Sequence, residues 1–495
     1  MNSSSSLTGT FDVAVIGAGY GGVTAAALLA HAGRRVALIE KTRRAGGKTQ
    51  TMDRGGYRYE MFGAVGIPAR NSRFHELVER LGVADRVPFI IPDGEAAAVR
   101  YKAANGEWRV MRSALQQTGT PQEIENLRRT YGVTDDDLAA LGNLYGAIMS
   151  LEGPALDALD DVGMLGWMRQ FGLPASLVSM LCMNLNTLFV VPVNRLAASE
   201  AIFTLRQQAL GGAGRYHLRG YGRVAEVCAE YVTEHGGVYL TSARVRRIVV
   251  ERGRAVGIET DGGTVHARAV VSNAGIQPTV LRLAGREHFP ADYVDRVVAL
   301  EPSWALAGNR YVLDAPVFDA ALIPIFSDQS WLDDDRFARM QAGQWPDPPL
   351  IAIDVPSAFD PSLVPVPGHQ VLNCQVFCSP DPESPMAEEA TRRAEVVLDE
   401  LWPDLRKHII RTEPYGPRQV SGLSRDSVLP GCGGEAVGLA QVVGQVGKSK
   451  PDTRTPLPGL YLVGCDAGGR GAGTHQAVDS GFNVAAMVDA DLGSK

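Results

Sequence analysis

An α/β fold is predicted for this 495-residue chain: a discontinuous Rossmann-like dinucleotide-binding domain carrying an inserted α+β substrate domain. Three observations predict it. The chain opens on a glycine-rich strand-to-helix turn, Phe11-Asp12-Val13-Ala14-Val15-Ile16-Gly17-Ala18-Gly19-Tyr20-Gly21-Gly22. A second such turn closes it, Leu460-Tyr461-Leu462-Val463-Gly464-Cys465-Asp466 followed by Gly471-Ala472-Gly473-Thr474. Between them the apolar periodicity shifts from helical to strand-like and back. A fingerprint confined to one strand–helix–strand unit suits many NAD enzymes, whereas one completed from the far end of the chain points to FAD.

The elements follow in order. Phe11–Ile16 and Val36–Glu40 are short, apolar and β-branched, as buried parallel strands are. Between them Gly22–Ala32 reads as a helix of small residues able to pack close to a sheet. The stretch from Ser72 to Gln208 reads as mainly helical, with Thr120-Pro121 and Thr134-Asp135-Asp136 as helix starts and Ala197–Gln208 as an amphipathic helix. From Gly236 the period becomes two, with strands at Val238–Leu240, Val245–Val250, Val256–Glu259 and Val265–Ser272 and a turn at Asp261-Gly262-Gly263. A helix is expected at Gln277–Ala284. The Pro-rich stretch Trp304 to Cys378 reads as mixed, with strands at Leu350–Ile353 and Val371–Phe377, and helices follow at Glu388–Trp402 and Thr474–Leu492. Dinucleotide-domain pieces thus alternate with inserted ones. Residues 10–70, 214–282 and 430–495 are assigned to the first domain, 71–213 and 283–429 to the second, and 1–9 to a disordered tail.

The spacing Gly17-x-Gly19-x-x-Gly22 allows a tight turn, close approach of backbone to a diphosphate, and close helix–strand packing. The phosphates then meet the unpaired N–H groups and positive dipole end of a helix. Glu40 ends the second strand at the offset expected for an acid on the ribose hydroxyls.

Bulk properties narrow the partners. At 45% hydrophobic and 21% charged residues the chain has ample material for a core, and its length accommodates two or three domains. A net charge of −7 argues against nucleic acid. The six cysteines form no C-x-x-C pair, which fits a reducing compartment, and no metal site is expected. The Ser-rich start lacks the basic and apolar regions of a secretory signal, and no apolar run reaches the roughly 20 residues of a spanning helix. The expectation is a cytoplasmic protein, with peripheral membrane contact and oligomer formation left open.

Further motifs carry a family resemblance. Glu40, the basic spacer through Arg43-Arg44 and Gly46-Gly47-Lys48 resemble the extended FAD fingerprint of the amine oxidase and phytoene desaturase superfamily. Pro458-Gly459-Leu460-Tyr461-Leu462-Val463-Gly464-Cys465-Asp466 is similar to its second FAD motif, with Gln445 to Lys450-Pro451 in place of Gln-x-x-x-x-Arg-Pro. The helical insert and Arg219-Gly220-Tyr221-Gly222-Arg223-Val224 resemble the branch of bacterial phytoene desaturases, carotenoid isomerases and retinol saturases. The resemblance implies an FAD-binding domain of the glutathione-reductase type. It places Gly17, Gly19 and Gly22 at the pyrophosphate and Glu40 at the adenosine ribose, with Lys41, Gly47 and Lys48 along the fingerprint. It also places the Val245 backbone at the adenine, Asp466 at phosphate or ribityl groups, and the Gly473/Thr474 helix start at the flavin edge. The chain departs from the family pattern at Glu60-Met61-Phe62-Gly63, at Cys465 and across Gly468 to His475.

The catalytic candidates are His475, His217 and Glu60, each with a structural alternative as capping, packing or backbone-bonding residue. Cys465 is read as a buried filler rather than a flavin attachment point. The block Ser179 to Val191 suits a lipophilic tunnel, contact with a membrane or ordinary core packing, and Arg244-Val245-Arg246-Arg247 reads as a strand with one solvated face. With no second fingerprint for NAD(P)H, oxygen or a quinone is the expected electron acceptor. The resemblance implies an FAD-dependent oxidoreductase that desaturates C–C bonds of a small hydrophobic, isoprenoid-like or alicyclic substrate. The alternatives are a redox-neutral isomerase or saturase, an amine oxidase, and a non-catalytic lipid-binding escort protein.

Overall fold

A computed structural model describes residues 10–62, 67–68, 72–90, 95–114, 119–211, 213–216, 220–358 and 360–493. The strand Thr10–Ile16 lies inside a seven-stranded sheet because its side chains are apolar on both faces. Val13 and Val15 enter one core and Ala14 and Ile16 the other, following the two-residue period of a strand. The order is Val238–Leu240, Val36–Ile39, Thr10–Ile16, Gly263–Ser272, Arg254–Thr260 and Val245–Glu251. The first four of these run parallel, and the last two complete an antiparallel meander. The strand Gly263–Ser272 is shared along one edge. Its start pairs with Arg254–Thr260, and Val270 to Ser272 pair in parallel with Leu460–Leu462. The C-terminal strand therefore joins the sheet close to the N-terminal one.

Helix Tyr20–His31 crosses one face of this sheet together with Gly222–Glu234 and Gly473–Leu492. Small residues make the approach close; a Cβ at Gly481 would stand 2.5 Å from Thr24 Cβ. Helix Ala291–Ala299 packs on the opposite face through Val294 and Val297, and Arg73–Arg80 joins the first face through Phe74, Leu77 and Val78. Both helices come from segments that the sequence division gives to the inserted domain.

A second seven-stranded sheet has the order Ile409–Tyr415, Ala305–Leu313, Gln370–Cys378, Ile351–Asp354, Leu322–Ser327, Ala97–Lys102 and Trp108–Ser113. Its strands are antiparallel except where Leu322–Ser327 meets Ala97–Lys102. The helices at Asp135–Ser150, Ala175–Phe189 and Ala198–Gly211 share its core. Thr120 and Thr134 cap their helices with full capping boxes, as their sequences predict.

The segment expected to be mainly helical is so, with one addition. It contributes the hairpin Ala97–Lys102 and Trp108–Ser113, turned around Asn105-Gly106. Strand Ala305–Leu313 also escapes the sequence reading, because Gly308-Asn309-Arg310 interrupts its apolar run although every one of its residues is buried. The helix expected at Gln277–Ala284 is a short α turn, Ile276–Pro278, continued by a π-helix over Thr279–Ala284. The buried amide of Gln277 donates to the carbonyls of Val297 and Leu300, tying this turn to helix Ala291–Ala299. Among the described residues, no helix is long and apolar enough to cross a membrane.

In the strand next to one edge of the second sheet a Cβ on Gly308 would collide with the Cys374 carbonyl oxygen of the neighbouring strand. Gly308→Ala is therefore expected to lower stability by about 1–3 kcal/mol, read as a reduced midpoint in urea unfolding.

Candidate cofactor and substrate site

The carboxyl ends of Thr10–Ile16, Val36–Ile39 and Gly263–Ser272 open on one cavity of ≈ 320 Å³, a ligand-sized space at the place where doubly wound sheets bind ligands. Two glycine turns build its wall by touching each other. A Cβ on Gly21 would stand 2.8 Å from the Gly464 backbone, and one on Gly22 would collide with the Gly17 carbonyl oxygen. The Asn273 side chain lies between the turns, and with its amide oriented to suit both neighbours it accepts from Gly19 N at 3.3 Å and donates to Val463 O at 3.2 Å. Helix Tyr20–His31 starts at Gly19 with no side-chain cap, so its first N–H groups are left for a ligand.

At one end of the cavity, Glu40 accepts hydrogen bonds from Ala18 N at 2.8 Å and Thr42 N at 2.7 Å, which fixes its buried carboxylate beside the turn. Next to it Asp426 gathers three cations: Lys41 at 2.8 Å, Arg244 at 2.8 Å and Arg282. Burial raises the carboxyl of Asp426, but its cations prevail and hold it down at about 2. All four groups line the cavity, as does Val245 at the start of its strand. The solvated-strand reading of Arg244 to Arg247 holds for Arg246 and Arg247, both exposed at a register shift, and is corrected for Arg244, which precedes the strand and turns to the cavity to pair with Asp426.

Farther along, Asp466 accepts from Arg425 at 3.0 Å, Leu439 N at 3.1 Å and Ile276 N at 2.9 Å. Burial alone would raise its carboxyl, yet Arg425 and the two amides keep it below the usual range. Arg425 also pairs with the fully buried Glu435. Lys48 donates to the Val437 carbonyl at 3.2 Å, and burial pulls its ammonium below the ordinary value. Gly47 packs its Cα side against Gly19. Burial pushes the Cys465 thiol up to about 11, so it stays protonated at neutral pH and donates to Gly473 O.

The last helix, Gly473–Leu492, begins just beyond the loop that follows Asp466, and no side chain caps it. Gly473, Thr474 and His475 line the cavity. Burial lowers the His475 imidazole below its ordinary value, against the pull of Asp479 and the Arg470 backbone, so the ring is neutral near pH 7. Its Nε2 is buried without a hydrogen-bond partner among the described residues. The preceding loop is anchored from the helical insert: Arg470 pairs with Asp157, Asp160 and Glu200, and Glu200 also accepts from Gly471 N at 2.9 Å. Lys450 holds the same loop by donating to the Gly469 carbonyl.

Beyond His475 the wall turns apolar, with Phe62, Leu188, Val190, Phe203, Leu306 and Val437. The Ser179 to Val191 block divides between the two, with Leu188 and Val190 on the cavity and Leu181, Leu185 and Phe189 in the core.

Gly17, Gly19, Glu40, Lys41, Gly47, Lys48, Val245, Asp466, Gly473, Thr474 and His475 all border this one cavity, with Gly22 directly behind its turn. Glu60 does not line it. Its buried carboxylate accepts from Tyr221 N at 3.2 Å, the backbone role rather than the catalytic one. His217 and the tail 1–9 lie outside the described residues. Sequence reasoning misses Asn273, Arg425 and Asp426. Asn273-Ala274-Gly275 after a strand is a legible turn signal, whereas nothing local marks Arg425 and Asp426.

These residues fit a dinucleotide. The uncapped helix start offers amide donors, Glu40 offers a carboxylate for hydroxyls, and Arg425 Nη2 is a buried donor without a partner among the described residues. Comparison with known proteins agrees. Residues 20–306 match the family described as Flavin containing amine oxidoreductase. The chain is 25% identical to Prolycopene isomerase, chloroplastic, of Daucus carota, over 98% of this chain and 80% of that one. It is 25% identical to All-trans-retinol 13,14-reductase of Homo sapiens over 54% of this chain and 47% of that one. An oxidoreductase structure from Methanosarcina mazei shares the fold, with a TM-score of 0.71 at 18% identity over 96% of this chain and 99% of that one.

Gly22→Ala is expected to weaken FAD retention at least about tenfold, because close helix–turn packing is what the third glycine permits; flavin absorbance per mole of purified protein measures it. Asp426 has a folded value of about 2 against an ordinary 3.8, so its contribution to stability is full above pH 3.8 and is lost as pH falls through about 2. The stability difference between wild type and Asp426→Asn should accordingly shrink over that window in acid unfolding experiments.

Proposed function

The chain belongs to the Flavin containing amine oxidoreductase family and uses FAD, and from that premise we propose that it desaturates a C–C bond of a hydrophobic, isoprenoid-like or alicyclic substrate. The observation that carries this reading is the continuity of one cavity from the glycine turns at Gly17 and Gly464 to an apolar chamber walled by Phe62, Leu188, Val190, Phe203 and Leu306. FAD, when bound, supplies the hydride acceptor for such chemistry.

The protein's own residues supply placement and proton handling. The glycine turn, the uncapped N-terminus of Tyr20–His31, Glu40 and Lys48 hold the dinucleotide. The uncapped start of Gly473–Leu492 directs amides and a positive dipole end toward the cavity, which favours negative charge there. Arg470, fixed by three carboxylates, keeps the loop before that helix in place. The apolar wall excludes water from the reacting carbons. Neutral His475 is the proton acceptor in this reading, receiving the substrate proton at Nε2. Oxygen or a quinone would be the electron acceptor.

A second reading, redox-neutral isomerisation, is favoured by likeness to prolycopene isomerases along nearly the whole chain. Anaerobic mixing of the FAD-loaded protein with isoprenoid and alicyclic candidates separates the two. Desaturation bleaches the flavin and yields a product two hydrogens lighter. An isomer of unchanged mass, formed only after prior flavin reduction, would replace desaturation by isomerisation. His475→Gln should retain FAD but lower the rate of bleaching by about 10²–10⁴-fold.

A further inference from the structure

Helix Ala198–Gly211 turns one face toward the chamber, and that face is not uniformly apolar. Phe203, Thr204, Gln207 and Gln208 line the cavity at helical spacing, while Ala201, Ile202 and Leu205 point into the core. Thr204 is only 8% exposed. Its Oγ1 and the Gln207 Oε1 are both buried without a hydrogen-bond partner among the described residues. The Phe203 ring on the same face has its centroid 6.2 Å from that of His475, so this face of the helix and His475 border the same cavity side by side.

Buried polar atoms normally find partners, and one left unpaired costs about as much as a lost hydrogen bond. A pure hydrocarbon in the chamber would leave both atoms unpaired. A hydroxyl group can accept from the Thr204 hydroxyl and donate to the Gln207 carbonyl oxygen, satisfying both at once. We propose that the substrate is an apolar alcohol, anchored by its hydroxyl on Thr204 and Gln207 while its hydrocarbon body fills the apolar chamber. The inference rests on the reading of this cavity as the substrate site. Because a site built for a hydroxyl rejects the analogue lacking it, the alcohol should bind at least about tenfold more tightly than its deoxygenated counterpart.

The test titrates FAD-loaded protein under nitrogen with farnesol and farnesene, and with menthol and menthane, following the perturbation of flavin absorbance on binding. Wild type should prefer each alcohol at least about tenfold. Thr204→Val and Gln207→Leu should each shrink that preference from both sides, weakening the alcohol and strengthening the hydrocarbon, with FAD content unchanged. A merely structural role would move both ligands together. Equal binding of alcohol and hydrocarbon, binding of neither, or loss of FAD from the two variants would overturn the inference. Failure of the catalytic reading looks different: the alcohol preference would persist with no bleaching and no new product.

Discussion

The approach of two backbone turns from opposite ends of the chain is the constraint on which the site depends. Gly21 and Gly464 meet so closely that a single methyl group at Gly21 would lie 2.8 Å from the Gly464 backbone. That contact exists because Leu460–Leu462 completes the sheet along the far half of Gly263–Ser272, leaving its glycine turn beside the N-terminal one. The turn then delivers Cys465 and Asp466 to the cavity, and the loop beyond it delivers His475. Loss of this approach would separate the cradle from the reacting end.

Charge reinforces the arrangement across segments far apart in sequence. Arg425 and Asp426 are neighbours with opposite roles: one pairs with Asp466 and Glu435, the other with Lys41, Arg244 and Arg282. The segment after helix Pro417–Leu423 is thereby tied to the first sheet's domain at two points along the cavity. The buried Arg425 pairs contribute little net stability against apolar replacements, but breaking one partner leaves an uncompensated charge. Their consequence here is position rather than strength. Arg470 does the same between the helical insert and the last helix, through Asp157, Asp160 and Glu200.

Burial shapes the chemistry of the same wall. Desolvation keeps the Cys465 thiol protonated and the His475 ring neutral, so only the latter is suited to take up a proton near neutral pH. The chamber beyond is apolar with two polar atoms set into it, a composition that governs which molecules enter as much as the reaction performed on them.

Local signals are strong where a short stretch of chain suffices. The glycine turns, the strands beside them, Glu40 and the two capping boxes follow from spacing and residue type, since each depends on neighbours a few positions away. Ala305–Leu313 carries Gly308-Asn309-Arg310 in the middle of its apolar run, and the hairpin at Ala97–Lys102 and Trp108–Ser113 is hidden in a stretch that reads as helical. Glu60 and Arg244 sit elsewhere than expected because a backbone amide at Tyr221 and the carboxylate of Asp426 decide where they point. The sequence by itself determined the fold class and the cofactor, for a nucleotide cradle is written in glycine spacing and strand periodicity. Only the tertiary structure decided that Arg425, Asp426, Thr204 and Gln207 share that cavity, because their placement comes from contacts between segments hundreds of residues apart that leave no local pattern.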